Sequence, residues 1–504
     1  MSTNTNEKNI TESILKANKN RLAGLDNFDI YDELNQVLKD VGLSIEDSGG
    51  KVTFYGQDPI APSPLHLASM AGIALVAKSI AVADIWRLRG GKGQDIHMDL
   101  RKALRRLSPF FDRKWEKING FALGAASDPY NPFDFTFYQT KDGKWVMPLN
   151  PYPRVKHETL KFLNCTEDRE AVANAIRQWN AEELEKAAAE RGIVMPMVRT
   201  IEEFMKEPAY EHVARLPLIQ IEKIGESDLH PLSKNVSTPL EGIRALGIGH
   251  VIAGAGFGRS LALHGTDVLN VWRPTDWEHD LIYATSNVGM RSTMLDLDKV
   301  EGKQKMEELL EGADIFFANR REGFLERYGL SAEDCAKIRP GIIHCSVNLH
   351  GTEGPWANRN GFDQTAGSVT GIMALEGSPE QPKLPVIGVV NDYAASWLLE
   401  VGALVALKRR AKEGGSYRVR VSLDRISLWL LSMGIFDKRF VNETAGSSEE
   451  HEFIAPDLFT AETPLGLYQG LTEQVEMSET PGEYQTVLVP RGSGKAEWVT
   501  NLNQ

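Results

Sequence analysis

Two aspartates stand where a chain could use a carboxylate as a nucleophile. Asp392, in the stretch GVVNDYAAS at 388–396, ends an apolar run and opens a long apolar helix, with no charged neighbour in sequence. A carboxylate at a helix start can be held ionised by the free backbone N–H groups and the helix dipole there. Such a group is a candidate nucleophile. Asp363, in GFDQTAG at 361–367, precedes a helix of small residues and offers a second, supporting carboxylate. Each also has a plainer reading as a helix cap, because Asp is favoured at helix starts. Arginines recur beside expected strands: Arg273 after the second, Arg291 before the third, and Arg320, Arg321 and Arg327 after the fourth. Fixed guanidinium groups suit a ligand with several phosphates, while a solvated surface role is the plainer reading of each one alone. The loop AGAGFG at 253–258 lacks the G-x-G-x-x-G spacing, and Trp272-Arg273-Pro274 stands where a ribose-binding acid would follow the second strand. That disfavours a nicotinamide cofactor. The glycines allow either close approach to a ligand or tight helix–strand packing. No H-E-x-x-H, G-x-S-x-G or G-K-S/T motif occurs, so zinc-enzyme, hydrolase and nucleotide-kinase readings are weak.

The elements that must hold these residues follow an α/β pattern. Strands are expected at 243–248, 267–271, 293–297, 314–318 and 341–347, with helices at 256–264, 300–310 and 332–338. Alternation of this kind predicts a Rossmann-like parallel sheet with helices on both faces, ligands lying past the carboxyl ends of the strands. A smaller mixed α/β domain is expected before it: a hairpin within 129–148 and helices at 154–164, 168–177 and 181–191. The segment 87–100 is echoed by 410–423, each a helix end, a glycine turn and a strand, which suggests a duplication. In that register Asp392 falls on Ser69, so only the second copy can use the carboxylate. The resulting division is a degenerate copy at 1–115, the small domain at 116–228, a linker at 229–238, the Rossmann-like domain at 239–440 and a C-terminal extension at 441–504. That extension is polar, and one strand near 485–488 is expected in it.

A net charge of −13 over 504 residues disfavours nonspecific binding to nucleic acid or an anionic membrane. Three scattered cysteines show no disulfide or zinc spacing, and the apolar window at 65–86 is interrupted by Lys78 and Asp84. Without a signal-like segment at 1–19, the expectation is a cytoplasmic, soluble protein.

Motifs at 239–244 (PLEGIR), 272–274 (WRP), 291–297 (RSTMLDL) and 319–330 (NRREGFLERYGL) occur in this order and continue through Gly361-Phe362-Asp363, Asp392-Tyr393, Gly414-Gly415 and Val421-Ser422-Leu423. The chain thereby resembles the class III CoA-transferases, a family that includes formyl-CoA and carnitine CoA-transferases and the alpha-methylacyl-CoA racemases. Residues 179–208 are similar to that family's small domain but precede the large domain, as in a trimmed tandem fusion or a permuted relative. The resemblance implies Asp392 as catalytic, Asp363 as supporting, and Val251, Arg273, Arg291, Asn319, Arg321 and Arg327 as the CoA-binding set. It implies no metal and no cofactor beyond coenzyme A as substrate, with an acyl-CoA and a carboxylic acid as partners and a homodimer as the assembly. Three departures stand out: Met290 replaces a lysine common in the family, no glycine run marks a mobile loop around 120–126, and Phe362 takes the position of the racemases' histidine. Without that imidazole, CoA transfer through an aspartyl anhydride and an aspartyl-CoA thioester is expected over racemisation. Tyr393, Phe362 and Trp397 are expected to exclude water. The alternative in another class is a non-catalytic acyl-CoA-binding protein.

Overall fold

In the computed structural model, which describes residues 2–24, 28–124, 130–321 and 323–499, the alternating segment forms part of a seven-stranded sheet. From edge to edge its strands are Arg291–Met294, Asp267–Trp272, Arg244–Ile248, Ile315–Ala318, Ile343–Asn348, Ser416–Ser422 and Gln220–Gly225. Neighbours are parallel except for the last pair. The chain enters at Arg244–Ile248, moves outward over two strands, then returns to place Ile315–Ala318 on the other flank of Arg244–Ile248. A reversal of this kind opens a crevice past the carboxyl ends of the two central strands. The expected α/β architecture is therefore present, with Ile248 and Ala318 pointing to the place where a ligand would lie.

Strand alternation divides the core between the two faces. Ala245, Val268 and Phe317 pack among residues of helices Ala253–Leu263 and Asp392–Glu413, whereas Leu246, Leu269 and Phe316 pack against Met306, Leu309 and Leu310 of helix Val300–Glu311. The strand expected at 293–297 begins earlier, at Arg291, and ends at Met294. Asp296 turns the chain there, its carbonyl accepting from Lys299 N at 3.1 Å and its carboxylate from Asp298 N at 3.2 Å.

The echoed segment is a structural repeat. Ser416–Ser422 lies between parallel Ile343–Asn348 and antiparallel Gln220–Gly225; Gln94–Asp99 lies between parallel Gly49–Tyr55 and antiparallel Val475–Met477. Each middle strand is preceded by a 22-residue helix, Asp392–Glu413 or Leu67–Leu88, and these two helices pack on each other. Leu67–Leu88 is long and apolar enough to cross a membrane, but 94% of its most apolar stretch is buried within the protein. Its interrupting charges are matched: Lys78 Nζ lies 3.1 Å from Glu473 and Asp84 2.5 Å from Lys408 Nζ.

The small mixed region has its own core of Phe133, Val146, Leu163, Val172, Ile176 and Leu184. Its hairpin pairs Tyr138–Gln139 with Trp145–Val146, followed by helices Pro153–Leu163, Arg169–Ile176 and Ala181–Ala189. Pro129, Glu322 and the part of the 120–126 segment beyond residue 124 lie outside the described residues.

The tail differs from expectation. Residues 485–488 form no strand; the strands are Leu458–Thr463, Gly466–Leu471 and Val475–Met477, and they join two sheets. Tyr468 and Glu473 are buried. Glu473 meets Lys78, Arg106 at 2.9 Å and Arg259 at 3.8 Å, so tail, first repeat and Rossmann-like segment share one buried ionic cluster. The polar composition that suggested a surface is the counter-charge for these cations.

Candidate active site

Asp392 opens its helix, is buried, and stands beside Asp363, but the backbone donors go to the other carboxylate. Asp363 accepts from Val390 N at 3.1 Å, from Asn391 N, and from Asp392 N at 3.0 Å. It thus caps the helix Asp392–Glu413 from outside. The expectation that free N–H groups hold Asp392 ionised is corrected here: Asp363 has taken them. Burial, and behind it the charge of Asp363, pushes the Asp392 carboxyl well above the usual carboxylate range. Burial also raises Asp363, to about 6, against the three N–H bonds that favour its charge. The two carboxyls titrate as a pair that resists carrying two charges.

The first repeat retains the cap and lacks the second carboxylate. Asp58 accepts from Ala68 N at 3.2 Å and Ser69 N at 2.7 Å, so it caps Leu67–Leu88 as Asp363 caps its counterpart. Ser69 stands in the place of Asp392.

Helix Ala253–Leu263 brings Asp392 to the sheet crevice. Ser396 Oγ bonds both Ala253 O at 2.9 Å and Asp392 O at 3.1 Å, joining the two helix starts. Just before Ala253, Asn319 clamps His250 with bonds of 2.8 Å from its amide to His250 O and from His250 N to its oxygen. Val251 follows with φ of 53°, a conformation in which a β-branched residue is strained. Glu278 Oε2 holds it by accepting from Val251 N at 2.9 Å. The glycines of 253–258 serve packing: a Cβ on Gly254 would overlap Asn319, and one on Gly258 would overlap Met290. Met290 is buried against Gly258, which accounts physically for an apolar residue where the family often has lysine.

Sequence reasoning missed the buried acids beside this loop. Glu278 also accepts from Tyr152 OH at 2.7 Å and lies 3.3 Å from His250 Nδ1; burial would raise its carboxyl, but His250, Tyr152 and Val251 N hold it low. Asp276 pairs with Arg273 at 2.7 Å and Arg320 at 2.9 Å; these cations overcome burial and bring it down to about 2. The signal was present in the acids of 275–280, immediately after WRP. Tyr152 stacks on Phe362 with centroids 5.8 Å apart and planes 8° apart, and meets Trp277 edge-on at 5.6 Å. Its hydroxyl is sensitive to the Asp392 charge after burial and Glu278. Phe362 directly precedes Asp363 in sequence. Tyr393 and Trp397 are engaged elsewhere: both are buried beneath Arg106, whose guanidinium lies 4.5 Å from the Tyr393 ring.

The arginines divide. Asn319 stands past the carboxyl end of the central strand Ile315–Ala318, and Arg273 past that of Asp267–Trp272, next to the edge. Arg327 is exposed and paired with Asp298 at 2.8 Å, and Arg321 is exposed, with no ion pair among the described residues. Arg291 is not part of the group. It begins its strand, at the amino end of the parallel sheet, and pairs with Asp267 at 2.8 Å. Among the described residues no group of three or more His, Cys, Asp or Glu is placed to hold a metal ion. A cavity of about 490 Å³, described below, is lined by residues other than Asp392.

The segment that carries these groups matches a known family. Residues 240–469 match CoA-transferase family III. The resemblance read from the motifs is borne out over that segment. The chain is 31% identical over 208 residues to an acetyl-coenzyme A transferase of Hypoxylon pulicicidum, covering 40% of this chain and 35% of that protein. It is 30% identical over 228 residues to the succinyl-CoA–L-malate CoA-transferase alpha subunit of Chloroflexus aurantiacus, covering 42% and 53%. The chain thus spans between about a third and a half of these relatives' length. Among solved structures, a CAIB/BAIF family protein from Brucella suis is 26% identical, with 46% of this chain and 65% of that chain covered and a TM-score of 0.34.

Proposed function

We propose that this family III segment moves CoA from an acyl-CoA to a carboxylic acid, with Asp392 as nucleophile. The observation that carries the reading is the buried Asp392 carboxyl beside Asp363, at a helix start whose backbone the Ser396 bridge ties to the first turn of Ala253–Leu263. Arg273, Arg321 and Arg327 would meet the phosphates of CoA past the strand ends. Asp392 attacks the thioester carbonyl; the carbon–sulfur bond breaks, CoA leaves as thiolate and an acyl-aspartyl anhydride remains. Thiolate then attacks the aspartyl carbonyl, releasing the first acid and forming an aspartyl-CoA thioester. The acceptor carboxylate attacks this thioester to form a second anhydride, and returning thiolate delivers the new acyl-CoA. Water is the competing nucleophile, and the Tyr152 and Phe362 rings would exclude it.

Donors named for the relatives, acetyl-CoA and succinyl-CoA, are the first to try. After incubation with either and trapping with hydroxylamine, mass spectrometry is expected to find a hydroxamate at Asp392. Label on no peptide from either donor overturns the reading and favours a binding protein without turnover.

The carboxylate pair adds a pH prediction. Asp392 attacks only when ionised, and the Asp363 charge opposes that ionisation. Asp363→Asn keeps an oxygen for the N–H groups and removes the charge. The acid limb of kcat/KM is expected to move to lower pH. An unmoved limb in the pH–rate profile excludes this coupling.

A further inference from the structure

A cavity of about 490 Å³ lies on the side of the molecule where the first repeat meets the segment leading to Asp392. Pro62 and Pro64 of the repeat form one wall, Leu384 and Val386 another, and Lys383 and Lys438 line it as well, the Lys438 ammonium donating to Glu376 O at 3.4 Å and to Gly377 O. A second cavity of about 430 Å³ shares Pro64, Gly377, Ser378 and Lys438 and adds Arg21. Lys438 feels the charges of both Lys383 and Arg21. Lys383 is exposed and has no ion pair among the described residues. The acid in the wall, Glu376, is turned into a hydrogen bond with Ser63 Oγ at 2.6 Å.

Two lysines therefore flank a space of ligand size whose own carboxylate, Glu376, is engaged by a hydroxyl. Like charges so placed favour an anion between them. The aliphatic walls suit a short carbon chain. The Ser378–Gln381 turn, with paired backbone bonds of 3.0 and 3.1 Å, fixes the rim.

We propose that this cavity is a binding site for a small aliphatic carboxylate, separate from the Asp392 site. Inorganic phosphate fits the cations but has nothing to place against Pro62, Leu384 and Val386, and a neutral amide fits the walls but not the lysines. The occupant would press on residues 384–386, which run directly into the 390–392 loop held by Asp363.

Burial pushes Glu376 up to about 7, against the Ser63 bond and the Lys438 charge. The groups facing it and its cation are Lys438, Lys383 and Arg21, with Glu202 and Asp437 beside Arg21. As pH rises from 6 to 8 Glu376 ionises, repels an incoming carboxylate and competes for Lys438. Affinity should fall over that window, by roughly three- to tenfold.

Titration calorimetry of the full chain with butyrate, butyramide and inorganic phosphate tests the site. Saturable binding is expected for butyrate alone, one per chain, and it should weaken by about tenfold or more in the Lys383→Ala/Lys438→Ala variant. Lys383→Ala alone, at an exposed position, should weaken it measurably without touching the fold. Asp392→Asn should bind as wild type does, whether or not transfer is found, and Glu376→Gln should lose the pH dependence. Absent butyrate binding, equal binding of phosphate or butyramide, lysine variants of undiminished affinity, loss in Asp392→Asn, or an unchanged pH dependence in Glu376→Gln overturns the proposal.

Discussion

Asp392→Asn is expected to fold, to keep its affinity for CoA, and to lose transfer by about four orders of magnitude or more, as when an enzyme loses its nucleophile. The amide has nearly the same shape and cannot form an anhydride. Its effect on stability follows from the burial of the wild-type carboxyl. An acid whose folded pKa is raised costs nothing below its unfolded value, and the cost grows as pH rises toward the folded value, because the unfolded chain releases the proton first. Asp392 is raised by burial and by Asp363. Wild type therefore becomes less stable relative to the amide variant as pH rises from 5 to 8. Calorimetric melting at the two pH values should show Asp392→Asn melting higher, with the wider gap at pH 8. Full transfer activity in this variant would remove Asp392 from the mechanism.

Glu473→Gln should produce the largest loss of stability. The glutamate meets three cations, Lys78, Arg106 and Arg259, each with a side chain only 1% exposed. Breaking a buried pair by removing one partner costs about 3–5 kcal/mol, because the remaining charge is left without compensation. Glu116 and Glu400 lie in the same interior, but burial raises both, Glu400 to about 7, so neither replaces a carboxylate held low. Burial would raise Glu473 as well, yet Arg106, Lys78 and Arg259 keep it well below the usual range. Its contribution is thus present above the unfolded pKa and is lost only as pH falls through the much lower folded one. Denaturant unfolding at pH 7 should show the drop. Because Glu473 joins the tail to both repeats, limited proteolysis should cut the tail of the variant first. A midpoint within experimental error of wild type would show that the cluster does not bear on stability.

The sheet was legible because its strands are short apolar runs separated by helices of fitting length; Asp267–Trp272 and Ile315–Ala318 lie within a residue of expectation. The site was legible only in its residue types. That Asp392 begins a helix can be read from its neighbours, but that its backbone donor is bonded to a side chain 29 residues earlier cannot. Arg291 was misplaced because an arginine next to a strand looks the same at either end, whereas in a parallel sheet only the carboxyl end faces the crevice. The tail read as surface because Glu473 looks solvated until Lys78 and Arg106, more than 360 residues away in sequence, are brought to it.

Asp58 bears on how the second copy is understood. A chain that repeats a helix and the strand after it, with the helix cap preserved and serine where the proposed nucleophile stands, separates what the architecture requires from what the proposed chemistry requires. The bonds from Ala68 and Ser69 to Asp58 are made at a helix start without a second carboxylate. The same bonds to Asp363 can thus be assigned to scaffolding, and the first copy serves as an internal blank against which the second is measured.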